Sequence, residues 1–489
     1  MRRNLFYFLF PLFILSVACS KETNTEPQPV TPPPTETISP FAVDVGDSDI
    51  PYIIIDTKGT AIENEPKVPA EMTIYIEKQE VQKANIGIEF RGSTSFRLSD
   101  KKSYGIETWD AAGEDINLSF FDFPEEEDWV LIGHVVNLGQ GFTFDRTLMY
   151  HHFGYELSRS IGRYASRSKH VELEINGEYL GIYMFMEKLK RNKNRIPLKK
   201  LEPTDTDAES ITGGYILKID KTSGGDIDNL NQPLSYFENN WADDARYTQN
   251  NSFRSNYDIN GQPIDFSPYN SPYHSQQYLE TYFLYEYPKP DIITNDQKAY
   301  IQNYINEFET ALLADDFGTN TRTYTDYIDV PSFVDYFLLS ELVRNIDGYR
   351  LSTYLTKDRG EKLKMGPVWD LNIGYDNPER IPFDDWVINY NNYVNQDAWM
   401  MPFWWLRLLS DPQFKAAVRT RWTALRTSEL QTSNLLSLVD DTANNLIDNG
   451  AIERNATIWG NEDYTSSVNN LKNYLENRAA WMDSEIGSF

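Results

Sequence analysis

Two carboxylates, Asp347 and Asp370, stand in dense motifs with aromatic neighbours: Glu341-Leu-Val-Arg-Asn345-Ile-Asp347-Gly348-Tyr349-Arg350 and Gly366-Pro-Val-Trp369-Asp370-Leu-Asn372. Moving a phosphoryl group from ATP needs one carboxylate near the attacking hydroxyl and a second near Mg²⁺. The same residues also read as loop aspartates that cap turns. The elements that carry them must therefore decide.

The chain has 489 residues, 40% hydrophobic and 14% aromatic, which is too apolar for a disordered chain. One large domain or two lobes fit that length. The formal net charge of -28 repels nucleic-acid backbones and argues against DNA or RNA as partner. Cys19 is the one cysteine of the sequence, so no disulfide forms within it.

Met1-Arg2-Arg3, an apolar run from Leu5 to Leu15 and Ser16-Val17-Ala18-Cys19 read as a secretory signal over 1–19. The pattern resembles a bacterial lipoprotein signal, in which the cysteine (here Cys19) is lipidated; Ser16 departs from the usual Leu. An ordinary cleaved signal is the alternative. Residues 20–45 are rich in Pro and Thr and read as an extended tether. A membrane partner through Cys19, in a cell envelope, is the resulting expectation.

The folded region, 46–489, begins β-rich. Tyr52–Asp56, Met72–Ile76, Ile86–Phe90, Lys102–Glu107 and Gly214–Ile219 read as strands. Val171–Ile175 and Tyr179–Phe185 flank Asn176-Gly177, a tight-turn signal because both turn positions need positive φ. One helix is expected over Thr147 to Ser160. Residues 221–290 read as loop-rich. From about 291 the pattern turns helical: a capping box at Thr294–Gln297 and apolar stripes at Ile301, Tyr304, Ile305, Phe308, Leu312 and at Val334, Phe337, Leu338, Leu342. Trp404–Leu446 and Val468–Ile486 add further helix. The stripes read as core, and the fold class as α+β.

Arg91-Gly-Ser-Thr-Ser95, Lys101-Lys-Ser-Tyr-Gly-Ile-Glu107, Asp128-Trp-Val-Leu131, Asn176-Gly-Glu-Tyr-Leu-Gly-Ile-Tyr183 with Glu187-Lys188, Gly214-Tyr-Ile-Leu-Lys218 and the two aspartate motifs follow in order. From about Ile50 to the carboxyl end this resembles the CotH family of spore-coat kinases and their relatives. The resemblance implies an atypical kinase-like fold, with a β-rich lobe of about 46–220 and a helical lobe of about 291–489. ATP and Mg²⁺ (or Mn²⁺) would lie between the lobes. Family members in bacterial spores phosphorylate serines on coat proteins, so a protein with Ser or Thr is the implied substrate. Fungal relatives act as surface invasins.

Asp347 matches the family's essential Asp in Asn-x-Asp-Gly and would orient the attacking hydroxyl or accept its proton. Asp370 matches the metal-binding Asp of Gly-Pro-x-Trp-Asp. Asn372 stands where members often carry a second acid; it offers oxygen with less charge. Ser352 stands where ordinary kinases place a metal-binding Asn. By kinase logic Lys102 is the candidate phosphate-contacting lysine, with a solvated strand-edge charge as the alternative, and Glu187 would pair with it. Arg91 would reach phosphate or a structural carboxylate. Gly139-Gln-Gly141 is too short to carry a glycine-loop reading. The region from His134 to Phe144 reads as an insertion.

The five histidines show no zinc spacing. Paired carboxylates and 11 tryptophans also allow a glycosidase reading, against which the motif order stands. Two functions stay open: a secreted, lipid-anchored Ser/Thr kinase, and a surface adhesin or scaffold on the same fold.

Overall fold

The computed structural model describes residues 40–222, 241–317, 321–376, 380–460 and 463–489. The signal, Cys19 and most of the tether lie outside the described residues. Phe41–Phe489 is one compact unit of α+β structure.

Seven strands close into a barrel in the order β1(Tyr52–Asp56), β2(Val68–Ile76), β3(Gln79–Arg91), β4(Ser103–Trp109), β5(Asp128–Ile132), β9(Glu178–Glu187), β8(Ser168–Ile175). All neighbours are antiparallel except β1 and β8, which run parallel and seal the ring. Alternation dictates the filling. Ile53, Ile55, Met72, Ile74, Ile86, Ile88, Ile106, Leu131 and Phe185 point inward with Trp129 to form one core. Between β8 and β9, Asn176 at φ 53° and Gly177 at φ 81° make the expected tight hairpin.

A second sheet has the order β11(Ser252–Arg254), β12(Tyr282–Tyr287), β10(Tyr215–Ile219), β13(Thr353–Lys357), β14(Leu363–Met365). Two of its strands come from the stretch read as loops. Phe253 and Phe283, with ring centroids 5.0 Å apart, tie β11 to β12. β6(Val136–Asn137) and β7(Phe142–Thr143) pair around Gly139-Gln-Gly141, so that glycine pair is the tip of a short hairpin.

The helix expected from Thr147 runs over Tyr150–Ser160. It starts later because Asp145 accepts hydrogen bonds from the backbone N–H of Thr147 at 2.9 Å and of Tyr150 at 2.8 Å. The Thr294 capping box is present on the Asn295–Leu313 helix. The Val330–Leu342 helix is capped by Asp329 and buried on every side from Ser332 onward, as a helix at the centre of a domain must be. The span from Trp404 breaks into Trp404–Leu408, Pro412–Arg426 and Thr432–Asp448; Ala451–Trp459 and Tyr464–Gly487 complete the order. Ile301, Ile305, Phe308, Leu312, Val468, Leu471, Leu475 and Met482 are all buried, as core stripes should be, while Tyr304 is only half-buried. No helix among the described residues is long and apolar enough to cross a membrane.

The Ala451–Trp459 helix lies on β9. Asn455 accepts from the Ile182 N–H at 3.0 Å, and Trp459 Nε1 donates to the Leu180 carbonyl at 2.8 Å. Lys101 Nζ, buried beside them, donates to the Ile182 carbonyl at 2.6 Å and to Asn455 at 3.2 Å.

Candidate functional site

The Val330–Leu342 helix delivers the chain into the Asp347 loop. The loop turns tightly: the Gly348 N–H donates to the Asn345 carbonyl at 3.0 Å and the Leu351 N–H to that of Asp347 at 2.8 Å. A Cβ at 348 would stand 2.5 Å from Asn345 Nδ2, so a larger residue there must displace the Asn345 side chain. Arg350 Nη2 holds Asp347 Oδ1 at 2.5 Å. Arg350 is itself fixed by the Trp399 carbonyl at 2.8 Å and lies over the Tyr390 ring.

The Asp370 loop docks on the same structure. The Tyr375 N–H donates to the Val343 carbonyl at 2.6 Å, and Arg344 Nη1 donates to the Tyr375 carbonyl at 3.0 Å. From the other side, the Tyr150–Ser160 helix clamps the loop. Tyr375 Oη donates to the Tyr150 carbonyl at 2.7 Å, and Gly154 leaves room for Leu371, whose Cδ1 would lie 2.1 Å from a Cβ. Arg344, Ser352 and Asp370 adopt positive φ of 46°, 48° and 53°. For non-glycine residues each such backbone costs on the order of 1–3 kcal/mol, and such residues gather where function demands a particular side-chain direction.

Asp370 keeps 45% of its side chain exposed, while His151 Nε2 approaches Oδ1 to 3.3 Å. Packing of the protein around it pushes its carboxyl up. The hydrogen bond and charge of His151, then the Arg91 and Lys221 cations, outweigh that and hold it below the usual carboxylate range. Arg91, at the end of β3, lies 5.8 Å from the Trp369 ring centroid. Asn372 follows two residues on, half-buried.

β10 runs beside β13 with Lys218 opposite Tyr354 and Ile219 opposite Thr353. That register adds three residues that sequence reasoning did not select. Lys218 Nζ lies 3.4 Å from Asp220 Oδ2, and Ser352 Oγ is within 3.5 Å of the same oxygen. Burial pushes the Asp220 carboxyl up, against the pull of Lys218. Lys221 Nζ donates to Thr94 Oγ1 at 3.0 Å. The signal was the run Lys218-Ile-Asp220-Lys221 ending a buried strand. A narrow cleft adjoins, lined by Asp220, Arg350, Tyr247 and Trp399 among others. Asp347 and Asp370 lie outside its lining.

The expected Lys102–Glu187 pair does not form. Lys102 Nζ donates to the carbonyls of Phe96 at 2.7 Å and Ser99 at 2.8 Å, which end the Thr94–Leu98 helix. Glu187 is fully buried and meets Arg167 at 2.8 Å and Arg195 at 3.7 Å. Register explains this. Glu187 lies opposite Trp129, and Trp129 opposite Ile106. Lys102 is four residues beyond Ile106, roughly 13 Å along the strand, and two strands across.

The carboxylate oxygens of Asp347, Asp370 and Asp220 are not gathered within one ion's reach. Asp370 feels the Arg91 and Lys221 cations, Asp220 stands by Lys218 and Asp347 by Arg350. Among the described residues the buried Asn345 amide has no hydrogen-bond partner at either atom. Oxygen donors for an ion and positive charge for phosphate are the residue types a magnesium nucleotide asks for. No curated protein matches the chain. Residues 88–482 match the family model described as CotH kinase protein, and the chain belongs to that family.

Proposed function

We propose that the chain is an atypical protein kinase that transfers the γ-phosphoryl of ATP to Ser or Thr of a protein. The observation that carries this is the docking of the Asp370 loop onto the Asp347 loop through Val343, Arg344 and Tyr375, with Asp370 kept ionised. Asp347, steered by Arg350, accepts a hydrogen bond from the attacking hydroxyl and receives its proton. Asp370 would hold the metal, with Asn372 as a further oxygen. Bound Mg²⁺ (or Mn²⁺) supplies charge neutralisation on the phosphates. Arg91, Lys218 and Lys221 contribute fixed positive charge, and Lys102 holds the carboxyl end of the Thr94–Leu98 helix that begins within the Arg91–Ser95 motif. Glu187 supports the barrel end through Arg167. In this reading the barrel and the helical part act as the two lobes of a kinase.

The leader supports an envelope location, with Cys19 lipidated and residues 20–45 as tether, and an envelope or surface protein as substrate. The same leader favours the second reading, a non-catalytic surface adhesin, because ATP is scarce outside the cytoplasm.

Thermal shift of residues 41–489 with Mg-ATP tests the proposal. A ligand at 100 to 1,000 times its Kd stabilises by about 3 to 4 kcal/mol, and Asp370→Ala should lose that. Radiolabel transfer to an envelope extract then tests turnover. An identical shift in wild type and Asp370→Ala, or none in either, refutes nucleotide binding at this site.

A further inference from the structure

A second cavity, with an open volume of about 610 Å³, shares no lining residue with the site above. Ser158, Arg163 and Tyr164 wall it where the Tyr150–Ser160 helix ends, and Arg195–Pro197 face it from the barrel side. Tyr336 and Leu339 of the Val330–Leu342 helix and the segment Lys364–Val368 complete it. Most of its exposed wall is apolar, as the walls of small-molecule sites are.

Two guanidinium groups stand in its wall, each with a terminal nitrogen left over. Arg163 meets Asp335 through Nε at 2.7 Å, and its terminal nitrogens make no hydrogen bond among the described residues. Arg195 is 2% exposed; its Nη1 donates to the carbonyls of Asp128 at 2.8 Å and Lys188 at 2.9 Å and its Nε lies 3.7 Å from Glu187, while its Nη2 is buried with no hydrogen-bond partner among the described residues. A buried donor left unmade costs about 1–3 kcal/mol, more if charged, so such groups mark places where an acceptor is wanted. Guanidinium favours a planar, two-oxygen anion. The apolar remainder asks for a compact hydrophobic body.

We propose that this cavity is a ligand site for a small organic carboxylate with an aromatic or branched apolar body. The carboxylate lies toward Arg163 and Arg195; the body packs on Leu339, Met365 and Pro367. Its wall touches both functional loops. Tyr336 Oη donates to the Gly348 carbonyl, next to Asp347, and Val368 stands two residues before Asp370. A ligand here therefore acts on the loop pair from behind, and its binding does not depend on the kinase reading.

The probe is 4-(trifluoromethyl)phenylacetate, followed by fluorine NMR on the intact chain, against the uncharged amide of the same acid. Saturable one-to-one binding of the acid is expected, at least 10-fold tighter than the amide. Arg163→Gln should erase that preference while Arg163→Lys retains part of it. Pro197→Trp, at an exposed lining position, should block both compounds. Absence of saturable binding to wild type, equal binding of acid and amide, or indifference to both Arg163→Gln and Pro197→Trp would overturn the proposal. The acid-to-amide comparison uses wild type alone, so it decides even where a variant fails to fold.

Discussion

His151 Nε2 lies 3.3 Å from Asp370 Oδ1, and Nδ1 of the same ring has no hydrogen-bond partner among the described residues. The helix Tyr150–Ser160 therefore sets the direction of the carboxylate assigned to the metal. Groups that orient a ligand from behind typically cost 10- to 100-fold in metal affinity when removed. His151→Phe should weaken Mg²⁺ dependence of ATP binding by about that factor, read by titrating Mg²⁺ in the thermal-shift assay. Unchanged Mg²⁺ dependence would remove His151 from the site.

Asp347→Asn keeps the size of the side chain and removes its basicity. Loss of a general base costs roughly 10²- to 10⁴-fold. The expected result is that fall in kcat with the KM for Mg-ATP within a few-fold of wild type. A variant that transfers phosphate at the wild-type rate would show that Asp347 only shapes the turn.

Gly154→Ala sets two effects of opposite sign against each other. Alanine favours a helix over glycine by about 1 kcal/mol. The new Cβ would meet Leu371 Cδ1 at 2.1 Å and Tyr375 Oη at 3.2 Å, and overpacking costs typically 1–3 kcal/mol. Net destabilisation with weaker Mg-ATP binding is expected from urea melts and thermal shifts. A stabilised variant with intact binding would mean the helix–loop contact is loose.

Lys101 gives a pH signature. Burial, with no carboxylate among its hydrogen-bond partners, pushes its ammonium down to about 7. The folded chain thus binds fewer protons here than the unfolded chain, whose lysine titrates near 10.5. Stability contributed by this group therefore rises with pH from about 7 toward 10, by at most ~1.4 kcal/mol per pH unit. Burial also suppresses protonation of His134, which titrates below that window. Denaturant melts at pH 7, 8 and 9 should show the rise, and Lys101→Met should flatten it. An unchanged slope in the variant would assign the effect elsewhere.

Arg478, on the Tyr464–Gly487 helix, is fully buried against Glu341 at 3.1 Å and donates to the carbonyls of Phe383 and Asp385. Glu341 also receives the Val387 N–H at 2.7 Å. The pair ties the helix before Asp347 to the segment after Asp370. Removing one member strands a buried charge, so Arg478→Met should destabilise by about 3–5 kcal/mol, and Glu341→Leu/Arg478→Met together by clearly less than the single changes summed. Additive losses in a double-mutant cycle would contradict the coupling.

The elements most legible in the sequence were those fixed by local rules. Alternation marked most of the barrel strands, Asn176-Gly177 the hairpin, and Thr294 with Gln297 the helix start. β11 and β12 were missed because Asn- and Tyr-rich flanks hide two short strands whose partner, β10, lies far away in sequence. The candidate site divided the same way. Asp347 and Asp370 stood out in motifs that are contiguous. Lys218, Asp220 and Lys221 acquire meaning only through the register of β10 on β13. The neighbours Lys101 and Lys102 show the limit most clearly. Successive residues of an extended segment face opposite sides, so one ammonium enters the barrel wall and the other caps a short helix, and composition does not say which does which.

The parallel seam between β1 and β8, with Tyr52 opposite Glu172, bears on how the chain matures. Ring closure must wait until more than a hundred intervening residues have been made, and contacts so distant in sequence form slowly. Until then β1 offers a bare edge, the kind of template on which other chains add. A chain delivered across a membrane amino end first would spend that interval in need of a holdase.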